Sequence, residues 1–391
     1  MTLHRLCGII CASLTFCQAG VAQQCEDPAA AVVVVNAEFD RVTRDRVPAS
    51  LFGFNLPWRD FQIGLFRDGR VDGDILDLLK PFAGAVYRYP GGTPSNTFVW
   101  REAVGSVGGR QPVEADYGRR ARVDFGLPEF ADFLAAVDGQ AVLTVNLVGD
   151  EKNPQSLEWV RASGGELMKL LEQAPALACV GSQPCRLFAL ELGNELDNPP
   201  ARLTADQYVA RARAFMDGAG DSAKAKAIPW IAMGRSAPWE ARASDYADFN
   251  QRVMQGLGQR VVGLAFHPYY DGINVGSALK FLDQYAEVAR RTDASAKVFV
   301  TEHGRWPAVP KVGKWQTNWH QTTDVGGALA TADFLLGLME RPQVQLANWH
   351  ALSAAGPWQL IRKNEEGVFV PTVLYWSMRL LRESMLASAV A

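Results

Sequence analysis

The sequence has no basic excess. In 391 residues, 39 Lys and Arg stand against 42 Asp and Glu, a net charge of -3. With no basic tract either, this argues against a nucleic-acid binder. Beyond the N-terminus no segment has eighteen uninterrupted apolar residues, so no membrane span is expected in the mature chain. There is no His-Glu-x-x-His and no cysteine-pair spacing for zinc, and no metal is expected. Gly91-Gly92 and Gly108-Gly109 lack the Lys-Ser/Thr ending of a phosphate loop. Gly-x-Ser-x-Gly does not occur, which removes the nucleophile elbow. No other cofactor is implied, and no internal repeat or low-complexity tract is present.

Cysteine is also sparse, at six, and three of the six fall in the first 17 residues. Residues 1–22 have the pattern of a secretory signal. His4 and Arg5 are followed by a mainly apolar stretch from Leu6 to Phe16 and by small Gly20-Val21-Ala22. The mature chain is expected to start at Gln23 and to be secreted or periplasmic. Cys25, Cys179 and Cys185 then remain. In an oxidising compartment Cys179 and Cys185 would close a short loop; the alternative is three unpaired thiols.

What the sequence does contain is a regular alternation. Apolar, strand-like runs fall at Leu51–Leu56, Ala85–Pro90, Gln140–Leu147, Phe188–Glu195, Ile228–Gly234, Val261–Tyr270, Lys297–Gly304 and Val344–His350. Amphipathic segments lie between them: Phe125–Val137, Leu157–Gln173 (interrupted at Gly164-Gly165), a segment capped by Thr204, Tyr246–Leu257, Ser277–Thr292 and Gly326–Glu340. A closing helix is expected to start at Pro371. Such alternation predicts βα units around a parallel sheet, and eight units fit a closed (β/α)8 barrel over 48–391. Residues 23–47 are expected to be a lead-in with one strand, Ala31–Asn36, beside the barrel.

Two of the strands share a design. Leu187–Leu192 runs into Gly193-Asn194-Glu195, and Lys297–Thr301 runs into Glu302. Each places a carboxylate at the strand's carboxyl end, where catalytic groups gather in a barrel. A lone strand-end Glu is ordinarily a solvated carboxylate. Two on opposing strands suit a retaining glycosidase, which needs an acid/base and a nucleophile about 5–5.5 Å apart. Asn194 would hydrogen-bond a sugar hydroxyl or merely make a turn. Arg88, in an apolar strand, must be paired, with a catalytic carboxylate or in a structural ion pair. Asn55 and Asn146 would meet sugar or satisfy backbone groups. His267 and Tyr269 close the sixth strand on the same rim, where a Tyr hydroxyl can hold a nucleophile ionised. Trp349 would be the floor for a sugar ring, or core.

Gly193-Asn194-Glu195, Thr301-Glu302-His-Gly, Arg88-Tyr-Pro-Gly-Gly92, His267-Pro-Tyr269 and Asn348-Trp349 together resemble the clan A retaining glycoside hydrolases. The resemblance is nearest to the α-L-arabinofuranosidase families, with similarity also to the heparanase and β-glucuronidase group. It spans roughly residues 48–385, with specificity confined to the strand ends. It implies Glu195 as acid/base, Glu302 as nucleophile, Asn194 as substrate-binding and a carbohydrate substrate. Those families usually carry a C-terminal β-sandwich, and here little or none of one is expected. A non-catalytic carbohydrate-binding barrel, a transglycosidase or a lyase are the alternatives. Sugar, linkage and oligomeric state are not encoded in these motifs.

Overall fold

The computed structural model describes residues 46–388, except 60–65, 68, 116–118, 173, 175–176, 178–185, 221–226, 237–242, 272–274 and 354–355. The expected signal at 1–22, the strand at 31–36 and the Cys179–Cys185 bridge lie outside the described residues.

Eight parallel strands close on themselves: β1 (Gly53–Asn55), β2 (Val86–Tyr89), β3 (Gln140–Val145), β4 (Leu187–Leu192), β5 (Trp230–Met233), β6 (Gly263–Ala265), β7 (Lys297–Trp306) and β8 (Val344–Trp349). Each pairs with the next, and β8 pairs back onto β1 (Gly53 with Asn348, Phe54 with Trp349). This is the expected (β/α)8 barrel. Among the described residues the helices are α1 (Gly73–Leu79), α2 (Leu127–Ala136), α3 (Leu157–Glu172), α4 (Ala205–Ala219), α5 (Ala243–Leu257), α6 (Gly276–Thr292), α7 (Val325–Met339) and α8 (Val373–Ser388). None is long and apolar enough to cross a membrane.

Strand alternation sorts the barrel interior into layers. Val86, Val142, Ala189, Ile231, Ala265, Phe299 and Leu346, one from each of seven strands, form a self-contained buried cluster. Gly53 completes this ring from β1. A Cβ there would lie 2.4 Å from both Asn348 Oδ1 and the Val86 carbonyl. Two residues further along each strand stand Asn55, Arg88, Thr144, Glu191, Met233, His267, Thr301 and Asn348, all buried. The interior is therefore apolar at one level and almost wholly polar at the next, toward the carboxyl ends.

The structure corrects several expectations. α3 runs unbroken through Gly164-Gly165, because a Cβ on Gly164 would meet the Phe215 carbonyl of α4 at 2.1 Å; the glycines bring the helices together rather than break one. Pro371 ends a small strand (Phe369–Pro371) paired with Ile361–Lys363, and α8 starts two residues later. The sixth strand splits: after β6 and His267-Pro268, residues Tyr269–Asp271 resume in parallel beside Gly304–Trp306. β7 accordingly continues past Glu302 to Trp306 and stands above the rim.

Candidate active site

Arg88 is fully buried at the centre of the polar layer. Its Nε donates to Glu191 Oε2 at 2.5 Å, Nη1 to Glu302 Oε2 at 3.2 Å and Nη2 to Asn194 Oδ1 at 2.8 Å. One guanidinium thus ties β2 to β4 and β7. A buried cation demands such partners.

Glu302 is 5% exposed and takes more than the arginine. The Tyr269 hydroxyl donates to its Oε1, and His350 Nδ1 lies 3.0 Å from the same oxygen. Burial alone would raise this carboxyl. His350, His267 and Arg88 outweigh burial and hold it well below the usual carboxylate range. Between Val300 and His303 the β7–β8 register slips. Thr301 and Glu302, consecutive residues, both reach the barrel mouth because of this irregularity.

Glu195 follows β4 on the opposite side. Its backbone is left-handed, φ 47°, after Gly193 at φ 82°. A non-glycine residue is rarely held there, and such outliers gather at functional sites. Its Oε1 is 2.8 Å from His267 Nδ1, and its Oε2 accepts from Asn198 Nδ2 at 3.2 Å. His267 Nε2 is 2.9 Å from Thr301 Oγ1, which donates to Glu191 Oε1 at 2.7 Å. Burial would lower the His267 pKa, but Glu302, Glu191 and Glu195 push it up to about 9. Glu191 is burdened by burial yet held at about 2 by Arg88 and His267. Glu195, His267 and Glu302 each bring one ligand-capable atom within 4.8 Å of the others. Glu195 Oε1 and His267 Nδ1 are in hydrogen-bond contact with each other, and the Glu302 oxygens accept from Tyr269 and Arg88.

Of the residues singled out in the sequence, Arg88, Asn194, Glu195, His267, Tyr269 and Glu302 form this one constellation. Asn55 is buried in the same layer, paired in register with Arg88, and neither amide atom makes a hydrogen bond. Asn146 stands apart from the carboxylates. Its Oδ1 accepts from Val148 and Gly149 N–H, and its Nδ2 donates to the Phe98 carbonyl. It serves the backbone. Trp349 is not a floor for a sugar. It is 0% exposed, with its Nε1 bonded to the Trp358 carbonyl and its ring against His303.

Exposed aromatic surface lies instead along the extension of β7. Glu302, Gly304 and Trp306 alternate onto one face, and Gly304 leaves room for Trp358, since a Cβ there would lie 2.6 Å from Trp358 Cδ1. Trp358 packs on Tyr269, His350 and Trp306, at 5.1, 4.8 and 5.2 Å between centroids. Trp306 in turn stacks on Trp315 at 5.4 Å. Glu191 and His350 were not anticipated from the sequence. Glu191 carried a signal, an acid inside an apolar strand, equal to that of Arg88.

The fold has counterparts among known proteins. No protein-family model matches the chain. Three solved structures overlay on 86% of it: a family 51 α-L-arabinofuranosidase from Bifidobacterium longum (TM-score 0.67, 15% identity, 73% of that chain), a GH51 arabinofuranosidase from Xanthomonas axonopodis pv. citri (0.65, 19%, 73%) and an α-L-arabinofuranosidase from Thermotoga maritima (0.64, 17%, 71%). GH51 arabinofuranosidases are among its structural neighbours. At these identities the likeness is one of fold. An intracellular exo-α-(1→5)-L-arabinofuranosidase of Acetivibrio thermocellus is 27% identical over 212 residues, 47% of this chain. The chain matches 39% of that relative's length. These relatives speak for the arabinofuranosidase side of the resemblance and carry nothing for the heparanase and β-glucuronidase side.

Proposed function

We propose that the chain is a retaining glycoside hydrolase, exported from the cell, that acts on an α-L-arabinofuranoside or a closely similar carbohydrate. One observation carries the reading: a carboxylate oxygen of Glu195 lies within 4.8 Å of one of Glu302. That spacing suits double displacement, whereas an inverting pair stands about 6.5–9.5 Å apart to admit a water. The sugar follows from the relatives, and export from the N-terminal pattern.

In this reading Glu302 attacks the anomeric carbon. His350, His267 and Arg88 keep it ionised, and the Tyr269 hydroxyl and Arg88 donate to its two oxygens. Glu195 gives its proton to the leaving oxygen, then takes one from the water that releases the sugar. Arg88 occupies Asn194 Oδ1, leaving the amide nitrogen to donate to a hydroxyl beside the reacting carbon. Asn55 has an unpaired donor and acceptor that a sugar hydroxyl would satisfy. The flat faces of Trp306 and Trp358 suit further sugar rings.

The test is hydrolysis of 4-nitrophenyl α-L-arabinofuranoside and other aryl glycosides by residues 23–391, with the anomer of the first product followed by NMR. Retention, with turnover lost in Glu302→Gln, supports the reading. An inverted product, or a folded protein inert on every glycoside, overturns it.

A further inference from the structure

The polar layer contains a carboxylate that the double displacement does not use. Glu191 is 1% exposed and cannot reach a substrate at the rim. It accepts from Arg88 Nε and Thr144 Oγ1 on one oxygen, and from Thr301 Oγ1 on the other. Beside a guanidinium and under three donors it is ionised, so it only accepts. Counting protons outward from it is decisive. A threonine hydroxyl has one proton, and that of Thr301 goes to Glu191. Its 2.9 Å contact with His267 must therefore be one in which Thr301 accepts, and His267 Nε2 carries a proton. That leaves the 2.8 Å contact between His267 Nδ1 and Glu195 Oε1, which holds one proton whether it sits on the ring or on the carboxyl.

We propose that Glu191 is a positioning residue for proton transfer: through the Thr301 hydroxyl it fixes the His267 tautomer, so that Glu195 and His267 share one proton for delivery to the leaving group. This rests on the reading of Glu195 as the acid/base. When the shared proton leaves with the departing oxygen, a neutral ring with a bare Nδ1 lone pair faces the Glu195 carboxylate. That arrangement is repulsive, and it favours recovery of a proton from the attacking water. The balance closes over the cycle: one proton out to the leaving group, one back from water. With the relay broken, the ring is free to carry its proton on Nδ1 alone. It would then donate to Glu195 and hold the acid in its ionised, useless form. The other charged groups around His267 are Glu302 from β7 and Arg88 from β2, and the Arg88–Glu191 contact is untouched by changes at Thr301.

The experiment uses Thr301→Val, which removes the relay while leaving Glu191 and Arg88 paired, with Thr301→Ser as the conservative rescue and Glu191→Gln as the second route. General-acid catalysis contributes typically 10²–10⁴-fold, and it matters most when the leaving group is poor. The expected result is a loss of roughly 10²-fold on an alkyl arabinofuranoside, under about threefold on the 2,4-dinitrophenyl one, with Thr301→Ser near wild type. Equal losses on both substrates, or none, overturn the proposal. The imidazole 15N shifts of His267 give a readout independent of turnover. Nε2 should be protonated in the wild type, with a changed tautomer or charge state in Thr301→Val. Identical shifts in the two proteins overturn the proposal even if the enzyme acts on a sugar other than those tried. Wild-type inactivity with shifts as expected would instead count against the glycosidase reading alone.

Discussion

Thr301 and Glu302 are adjacent in the chain, yet both side chains enter the barrel mouth and bond to the same two partners' network. Thr301 donates to Glu191, Glu302 accepts from Arg88, and Arg88 binds Glu191. The slipped register between Val300 and His303 makes this possible. A regular strand would turn one of the two outward.

The plainest consequence concerns the nucleophile. Glu302→Gln keeps size and burial but removes the charge that Arg88, Tyr269 and His350 converge on. Turnover of aryl glycosides should fall by roughly 10³-fold or more, about 4 kcal/mol of transition-state stabilisation. Circular dichroism should be unchanged. Full activity in this variant would rule out Glu302 as the attacking group.

Stability should depend on pH through His267. Its pKa in the fold, about 9, lies above its ordinary value of 6.5. The charged ring's contribution is complete below about pH 6.5 and is lost as pH rises through 9, on the order of a few kcal/mol. Glu191, held at about 2 against 4.5, acts in the opposite sense: its contribution is present above 4.5 and is lost only as pH falls toward 2. Urea titrations from pH 5 to 9.5 should show wild-type stability declining across the upper window. His267→Gln should be flatter there, and parallel curves would contradict the assignment.

Asn55 should trade stability for function. Two unpaired amide atoms in a buried layer are costly, and a leucine of similar size removes the cost. Asn55→Leu should raise unfolding stability by about 1–2 kcal/mol while weakening substrate binding. A variant that is destabilised, or one that binds substrate as before, would mean that the amide has partners other than sugar.

The aromatic face above Glu302 should matter for chains more than for single sugars. Trp306→Ala should raise KM for arabino-oligosaccharides by roughly five- to tenfold, the size of one stacking contact of about 1 kcal/mol. KM for the 4-nitrophenyl glycoside should hardly move. A uniform change on both substrates would make the tryptophans packing for the 307–323 segment and nothing else.

The eight strands were legible because each is a run of apolar residues long enough to be buried on both faces, closed in all but the fifth, which ends Met233-Gly234, by a polar residue at or near its carboxyl end. The carboxylates stood out for the same reason. What escaped was decided by register. Glu191 sits where an apolar interior residue would be expected, and only the alignment of eight strands puts it level with Arg88, Thr144, His267 and Thr301. Trp349 belongs to the rim in sequence but is roofed by Trp358, a contact that Gly304 permits and no local pattern announces. Gly164-Gly165 looked like a break because helix propensity knows nothing of the neighbouring helix.

The apolar ring made by Val86, Val142, Ala189, Ile231, Ala265, Phe299 and Leu346, with Gly53 in the remaining place, makes the barrel a one-ended vessel. Nothing in that ring can carry a proton, so the hydrogens on Thr301 and His267 reach bulk water only by way of the mouth. A ligand seated between Glu195 and Glu302 is therefore also a stopper. Binding should slow the exchange of the imidazole protons with solvent, whether or not any bond in the ligand is broken.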